Sequence, residues 1–172
     1  KNKKIDTIRT DGGHRLYNVT KYIEERTNNN IIVENIEKIE QLNNNKNQIK
    51  QIVKDMCNVD YLVGKKHMHD SSVFVRPSGN PLDLNGWDKM MNNEDVSVES
   101  NDLLSINKLH VNGNMGYVCF TSHGKFRYKG TYNDDVAVLT YILEKIDDKW
   151  KIVWGQRSTG RKPDEDPPNF NL

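Results

Sequence analysis

Close to its C-terminus the chain carries an apolar, β-branched run from Val136 to Ile146. It meets a second run, Trp150 to Thr159, across the polar tripeptide Asp147-Asp148-Lys149. Residues of this kind favour a pleated, half-buried backbone, and the acidic turn leaves the chain little choice but to reverse. A long antiparallel hairpin is therefore expected, with Trp150 or Trp154 largely buried in it. Two further long strands precede it, Val96 to Val111 and Gly116 to Lys129, separated by the hairpin-turn signal Asn112-Gly113-Asn114.

The N-terminal half has a different period. Ile36 and Ile39, then Ile49, Ile52, Val53 and Met56, recur at steps of three and four, as a buried helical stripe requires. Asn43-Asn44-Asn45 is a poor helix former and is expected to break or fray that helix. Asn58 is placed to cap a second short helix running to Lys66. Ser72 to Arg76 reads as a strand ended by the turn residues Pro77-Ser78-Gly79-Asn80-Pro81. Asn85 to Met91 reads as a third helix carrying Trp87 and Met90. In the first part of the chain, Leu16, Val19 and Ile23 have helical spacing. The expected organisation is an N-terminal extension over 1–31, partly helical, a folded domain over 32–160, and a loose Pro- and Asp-rich tail over 161–172. Helices first and antiparallel strands after make this α+β, with helices packed on one face of a curved sheet.

Composition removes several classes of partner. The 25 basic and 24 acidic residues leave a formal charge of +1 with no basic stripe, so nucleic acid has no electrostatic support. The basic cluster Lys1 to Lys4 reads as a solvated end. No apolar run approaches the ~20 residues of a membrane span. Two lone cysteines, Cys57 and Cys119, make no disulfide framework and favour a reducing, intracellular setting. The chain starts on Lys, so an organelle address after removal of a targeting peptide stays open. The sequon Asn18-Val19-Thr20 is short enough to arise by chance.

Four segments, SVFVRPSGNPL, NGWDKMM, NKLHVNGNMGYVCFTSHG and VAVLTYILEKIDDKWKIVWGQRSTG, stand in one order over residues 34 to about 160. In that order they resemble nuclear transport factor 2-like domains. The closing segment is most similar to SnoaL-like members and to the association domain of calcium/calmodulin-dependent kinase II. The resemblance implies a cone of strongly curved antiparallel sheet with helices packed on it. Strand alternation puts Tyr117, Cys119, Thr121 and His123 on one face and Val118, Phe120 and Ser122 on the other. It groups Ala137, Leu139, Tyr141 and Leu143 in the same way. Cys119 and Tyr141 resemble positions from which the kinase association domain points arginines into its cavity. The tyrosine–cysteine–threonine face is therefore expected to line the pocket, without those cations. Arg76 matches the place of the catalytic Asp in isomerase-like members. A guanidinium cannot abstract a proton, so that chemistry is not expected.

Other chemistry is sparse. His67-Met68-His69-Asp70 offers two histidines two residues apart without a third ligand, so no metal is expected, nor any cofactor. His69 and Asp70 are the candidates for an acid or base at the cavity mouth. Arg76, if inward, requires a carboxylate partner or an anionic ligand. Trp87 and Trp154 can cover a pocket. Cys119 has no base in reach, His123 lying about 13 Å along the strand. Arg157 is placed at a rim or interface. Two readings follow. One is a non-catalytic assembly module, a homodimer through the open face of the sheet or a subunit of something larger. The other is a small-molecule binder or lyase/isomerase-type enzyme using the cone, walled by Arg76, Trp87, Tyr117, Cys119, Thr121 and Tyr141. Its ligand would be neutral or weakly polar, or anionic if no protein carboxylate pairs with Arg76.

Overall fold

The computed structural model describes residues 7–9, 15–17 and 19–165. The expected basic end at Lys1 to Lys4 and the last residues of the tail, 166–172, lie outside them. The chain divides into two compact units, residues 1–43 and 44–172. In the first, strands β1 (Thr7–Arg9) and β2 (Arg15–Tyr17) pair antiparallel, and helix α1 (Val19–Met56) begins. Leu16 is thus in a strand, not in the expected short helix. Ile36 and Ile39 are exposed, so the buried part of the apolar stripe is confined to Ile49, Ile52 and Val53.

The Asn43-Asn44-Asn45 run does not break α1, whose 38 residues are continuous. An asparagine costs less than ~1 kcal/mol of helix propensity, which packing one turn further on can offset. Asn45 also has a use for its amide. It is buried and accepts a hydrogen bond from Trp150 Nε1 at 3.3 Å.

The second unit continues through α2 (Tyr61–Lys65), β3 (Met68–Val75), β4 (Pro81–Asp83), α3 (Leu84–Met91), β5 (Val96–Asn112), β6 (Met115–Tyr128), β7 (Thr131–Ile146) and β8 (Lys149–Arg157). The cap of α2 is Asp60, which accepts from Leu62 N, while Asn58 instead accepts from Asp60 N. The six strands β3 to β8 form one sheet in the order β4-β3-β8-β7-β6-β5, curled but not closed. All neighbours run antiparallel except β3 and β8, which are parallel. The closing hairpin is its centre. Asp147 and Asp148 form a two-residue turn with φ of 47° and 60°, the left-handed pair that a twisted hairpin demands.

The curl has a visible source in β5. Its 17 residues pair with the 14 of β6, and the excess is taken up at three register shifts. Bulges of this kind bend a strand and increase its twist. Across one end of the concave face lies the C-terminal part of α1, packing Ile49, Ile52 and Val53 with Val118, Leu143, Trp150 and Ile152 as the core. Gly116 permits this approach, since a Cβ there would meet Ile49 at 3.1 Å. Trp150 is 3% exposed, as expected for one of the two hairpin tryptophans. Arg161, the first residue of the expected tail, is paired through its backbone with Val136.

Candidate functional site

Beyond the packed core, the concave face opens into a cavity of about 730 Å³. Its floor comes from alternate residues of three strands. Phe120, Ser122, Gly124, Phe126 and Tyr128 of β6 face it, with Leu139 and Tyr141 of β7 and Arg157 of β8. Phe74 and Arg76 close it from the end of β3, and Trp87, Met90 and Met91 from α3. Met56 and Cys57 at the end of α1, with Tyr61 of α2, form the remaining wall. Gly155 lets the aromatic lining settle, because a Cβ there would sit 2.8 Å from the Phe74 ring and 2.9 Å from that of Tyr141. Phe74 meets Trp87 edge to face at 4.6 Å, and Phe120 lies 5.2 Å from Tyr141.

The helices over the cavity are tied together by polar groups. Lys65 of α2 pairs with Asp88 of α3, and this raises the Lys65 pKa. Asn92 Nδ2 donates to Tyr61 Oη at 2.7 Å. The end of α1 is tied in turn. Asp55 accepts from His67 Nε2 at 2.7 Å and pairs with Lys66 at 3.1 Å. The bond from His67 is the main reason the Asp55 carboxyl falls from its ordinary 3.8 to about 2.

Among the described residues four charged side chains line the cavity: Arg76, Lys129 and Arg157 against Asp135. Arg157 and Asp135 form an ion pair, with Gly160 lying directly against the Asp135 carboxylate. Arg76 has no such partner among the described residues. Its Nη1 donates to Tyr128 Oη at 3.3 Å, and its Nε is buried without a hydrogen bond. Lys129 Nζ lies over the Tyr128 ring, 5.7 Å from its centre. Burial pushes the Cys57 thiol up to about 11, with the charge of Asp102 adding to the effect. Burial also raises the Tyr141 hydroxyl well above its usual range.

Of the residues singled out from the sequence, Arg76, Trp87 and Tyr141 stand on the cavity wall. Tyr117, Cys119 and Thr121 do not, and their expected place is corrected to the outer face of the sheet. The register gives the reason: Tyr141 stands opposite Val118, while Cys119 stands opposite Thr140. Directly paired residues share a face, so the inward set on β6 is Val118, Phe120 and Ser122. On the outside, Thr121 accepts from Asn107 at 2.9 Å and the Tyr117 ring lies 5.5 Å from that of His110. Trp154, opposite Ile142, is also outward. His69 and Asp70 sit at the start of β3, away from the cavity, with His69 bonded to Ser71 Oγ at 2.8 Å. Among the described residues no three His, Cys, Asp or Glu side chains gather as metal ligands, and no helix is long and apolar enough to cross a membrane.

Tyr128, Lys129, Asp135 and the inward place of Arg157 were not foreseen. Continuing the Phe120-Ser122 alternation along β6 to Phe126 and Tyr128 was the signal available for the first of these. The Asp135–Arg157 pair joins the two strands of the closing hairpin, and nothing local in the sequence announces it.

Residues 34–164 match the family described as Protein of unknown function (DUF3804). Among solved structures, an NTF2-like protein of unknown function from Prochlorococcus is 37% identical. The alignment covers 68% of this chain and 94% of that one, with a TM-score of 0.63. An NTF2-like protein from Cytophaga hutchinsonii shares the fold at 15% identity and a TM-score of 0.56, covering 65% of this chain and 92% of its own. A candidate Ca/calmodulin-dependent kinase II association domain from Exiguobacterium sibiricum does so at 11% and 0.58, covering 67% and 92%. No curated protein matches.

Proposed function

This chain belongs to the DUF3804 family and has the nuclear transport factor 2-like fold, and from that premise we propose that it binds a small molecule in the concave cavity. The observation that carries this reading is the cavity itself. Its volume of about 730 Å³ falls within the range of sites for small ligands, and its lining is mostly aromatic and aliphatic with a few polar groups. The role is binding rather than catalysis. A general acid or base must be free and poised near the working pH. Among the described residues the one carboxylate on the wall, Asp135, is held by Arg157, and burial shifts the Cys57 and Tyr141 groups away from neutrality. The test is a fragment screen by thermal shift on the wild type and on Ser122→Phe, which fills the floor. Ligands should stabilise the wild type alone. A screen without hits, or hits that stabilise both proteins equally, removes the cavity reading.

A second reading is favoured by the outer face of the sheet, where Tyr117, Val138, Ile142 and Trp154 form an apolar patch across β6, β7 and β8. Tyr117 is 38% and Val138 40% exposed. A contiguous patch of this kind fits association of two copies through the sheet, or docking into a larger assembly. Cys119 and Thr121 fall within it, so their role is contact rather than ligand binding. Light scattering at tens of micromolar should give the mass of two chains, and a single-chain mass counts against it.

A further inference from the structure

We propose that the ligand of this cavity is an organic carboxylate: one anionic head held by Arg76 and Tyr128, with an apolar body lying over the aromatic lining. The inference rests on the cavity reading and narrows it to a chemical class.

Two donors at one end of the cavity lack acceptors among the described residues. Arg76 has a buried Nε–H with no hydrogen bond, which is costly to leave unmade. Tyr128 accepts from Arg76 Nη1, so its own hydroxyl proton is left to be given away. Lys129, over the Tyr128 ring, adds a positive charge at the same end. Against these, the only carboxylate on the wall among the described residues is already engaged by Arg157. Among the described residues, three basic groups to one acidic leave the cavity with an excess of positive charge, and neither Arg76 nor Lys129 is paired with a carboxylate.

The geometry then selects the head group. A guanidinium offers a flat fork of N–H groups that matches a carboxylate edge, and such bonds strengthen where water is excluded. The rest of the cavity selects the body. Phe74, Trp87, Met90, Phe120 and Phe126 offer rings and a thioether and carry no charge, so this part of the wall suits an apolar body. An aryl or medium-length alkyl acid satisfies both ends.

Two matched pairs of probes test this by calorimetry on the full chain: 4-phenylbutyrate against 4-phenylbutanol, and octanoate against octanol. The acids should bind the wild type more tightly than the alcohols, and Arg76→Gln should weaken the acids by about tenfold or more while leaving the alcohols unchanged. Tyr128→Phe should weaken the acids by a smaller factor, and it keeps the ring that fills the wall should Arg76→Gln fold poorly. Alcohols that bind as well as the acids, with no change in either variant, overturn the carboxylate proposal and leave the cavity reading standing. Fragment hits confined to neutral compounds do the same. If neither acids nor any fragment bind, both fall together.

Discussion

On β6, Phe120 and Ser122 turn toward the cavity, while Cys119 and Thr121, their neighbours in the chain, turn outward. The two faces ask different questions of the same residue types. Outside, a hydroxyl or amide is hydrated or finds a neighbour cheaply, as Thr121 does with Asn107, so polar groups there say little. What stands out is apolar surface left in water, at Tyr117 and Val138. Inside, apolar residues are ordinary, and the informative group is a cation with a buried N–H left unbonded and no carboxylate beside it among the described residues. Arg76 is that group. The two faces therefore support the two proposals separately: a small molecule within and a protein surface without.

The largest effect expected from breaking this arrangement is on the inner face, where Trp150 fills the core beside Asn45. Trp150→Ala should lower unfolding stability by ~3–5 kcal/mol through the cavity it leaves, measured by urea denaturation. An unchanged midpoint would mean that the inner face is not the packed one. Next comes Gly155→Ala, whose methyl must displace the rings of Phe74 and Tyr141. It should cost ~1–3 kcal/mol and shrink the binding cavity as well. The outer face should respond in the opposite way. Val138→Asp should leave single-chain stability within ~0.5 kcal/mol while separating dimers in light scattering. A large loss of stability there would show that Val138 is core, and the comparison of faces would fail.

The smallest effect concerns acid. Asp55 has its folded pKa lowered from 3.8 to about 2, so its contribution is complete above about pH 4 and is lost as pH falls through about 2. Between those values the wild type should lose more stability than His67→Gln, in which the main stabilising bond is gone. Equal losses would mean that the Asp55–His67 contact does not hold the end of α1 over the cavity.

Much of the fold was legible because it is written in long, consistent runs. The Val136–Ile146 and Trp150–Thr159 strands, the Asn-Gly-Asn turn and the helices before them each agree with their local chemistry, and their order carried the architecture. The parallel pairing of β3 with β8 is a long-range contact that no local pattern encodes. The cavity wall was harder. Both alternating sets on β6 mix aromatic, small and polar residues, so periodicity separates the faces without saying which one is inside. A shift of one residue in the register with β7 exchanges them, and that shift moved Tyr117, Cys119 and Thr121 outward. Arg76, Trp87 and Tyr141, each tied to a turn, a helix or the centre of the hairpin, line the cavity.

The three tryptophans offer the most direct test of the central claim, that a small molecule enters the concave face. Trp87 lines the cavity, Trp154 lies on the outer face and Trp150 is buried in the core. Their indole N–H signals can be followed together in ¹⁵N-labelled protein during titration with 4-phenylbutyrate. The Trp87 signal should move with the ligand, while that of Trp154 should answer to protein concentration instead. Movement of Trp154 with ligand while Trp87 stays still would place binding on the outer face and contradict it.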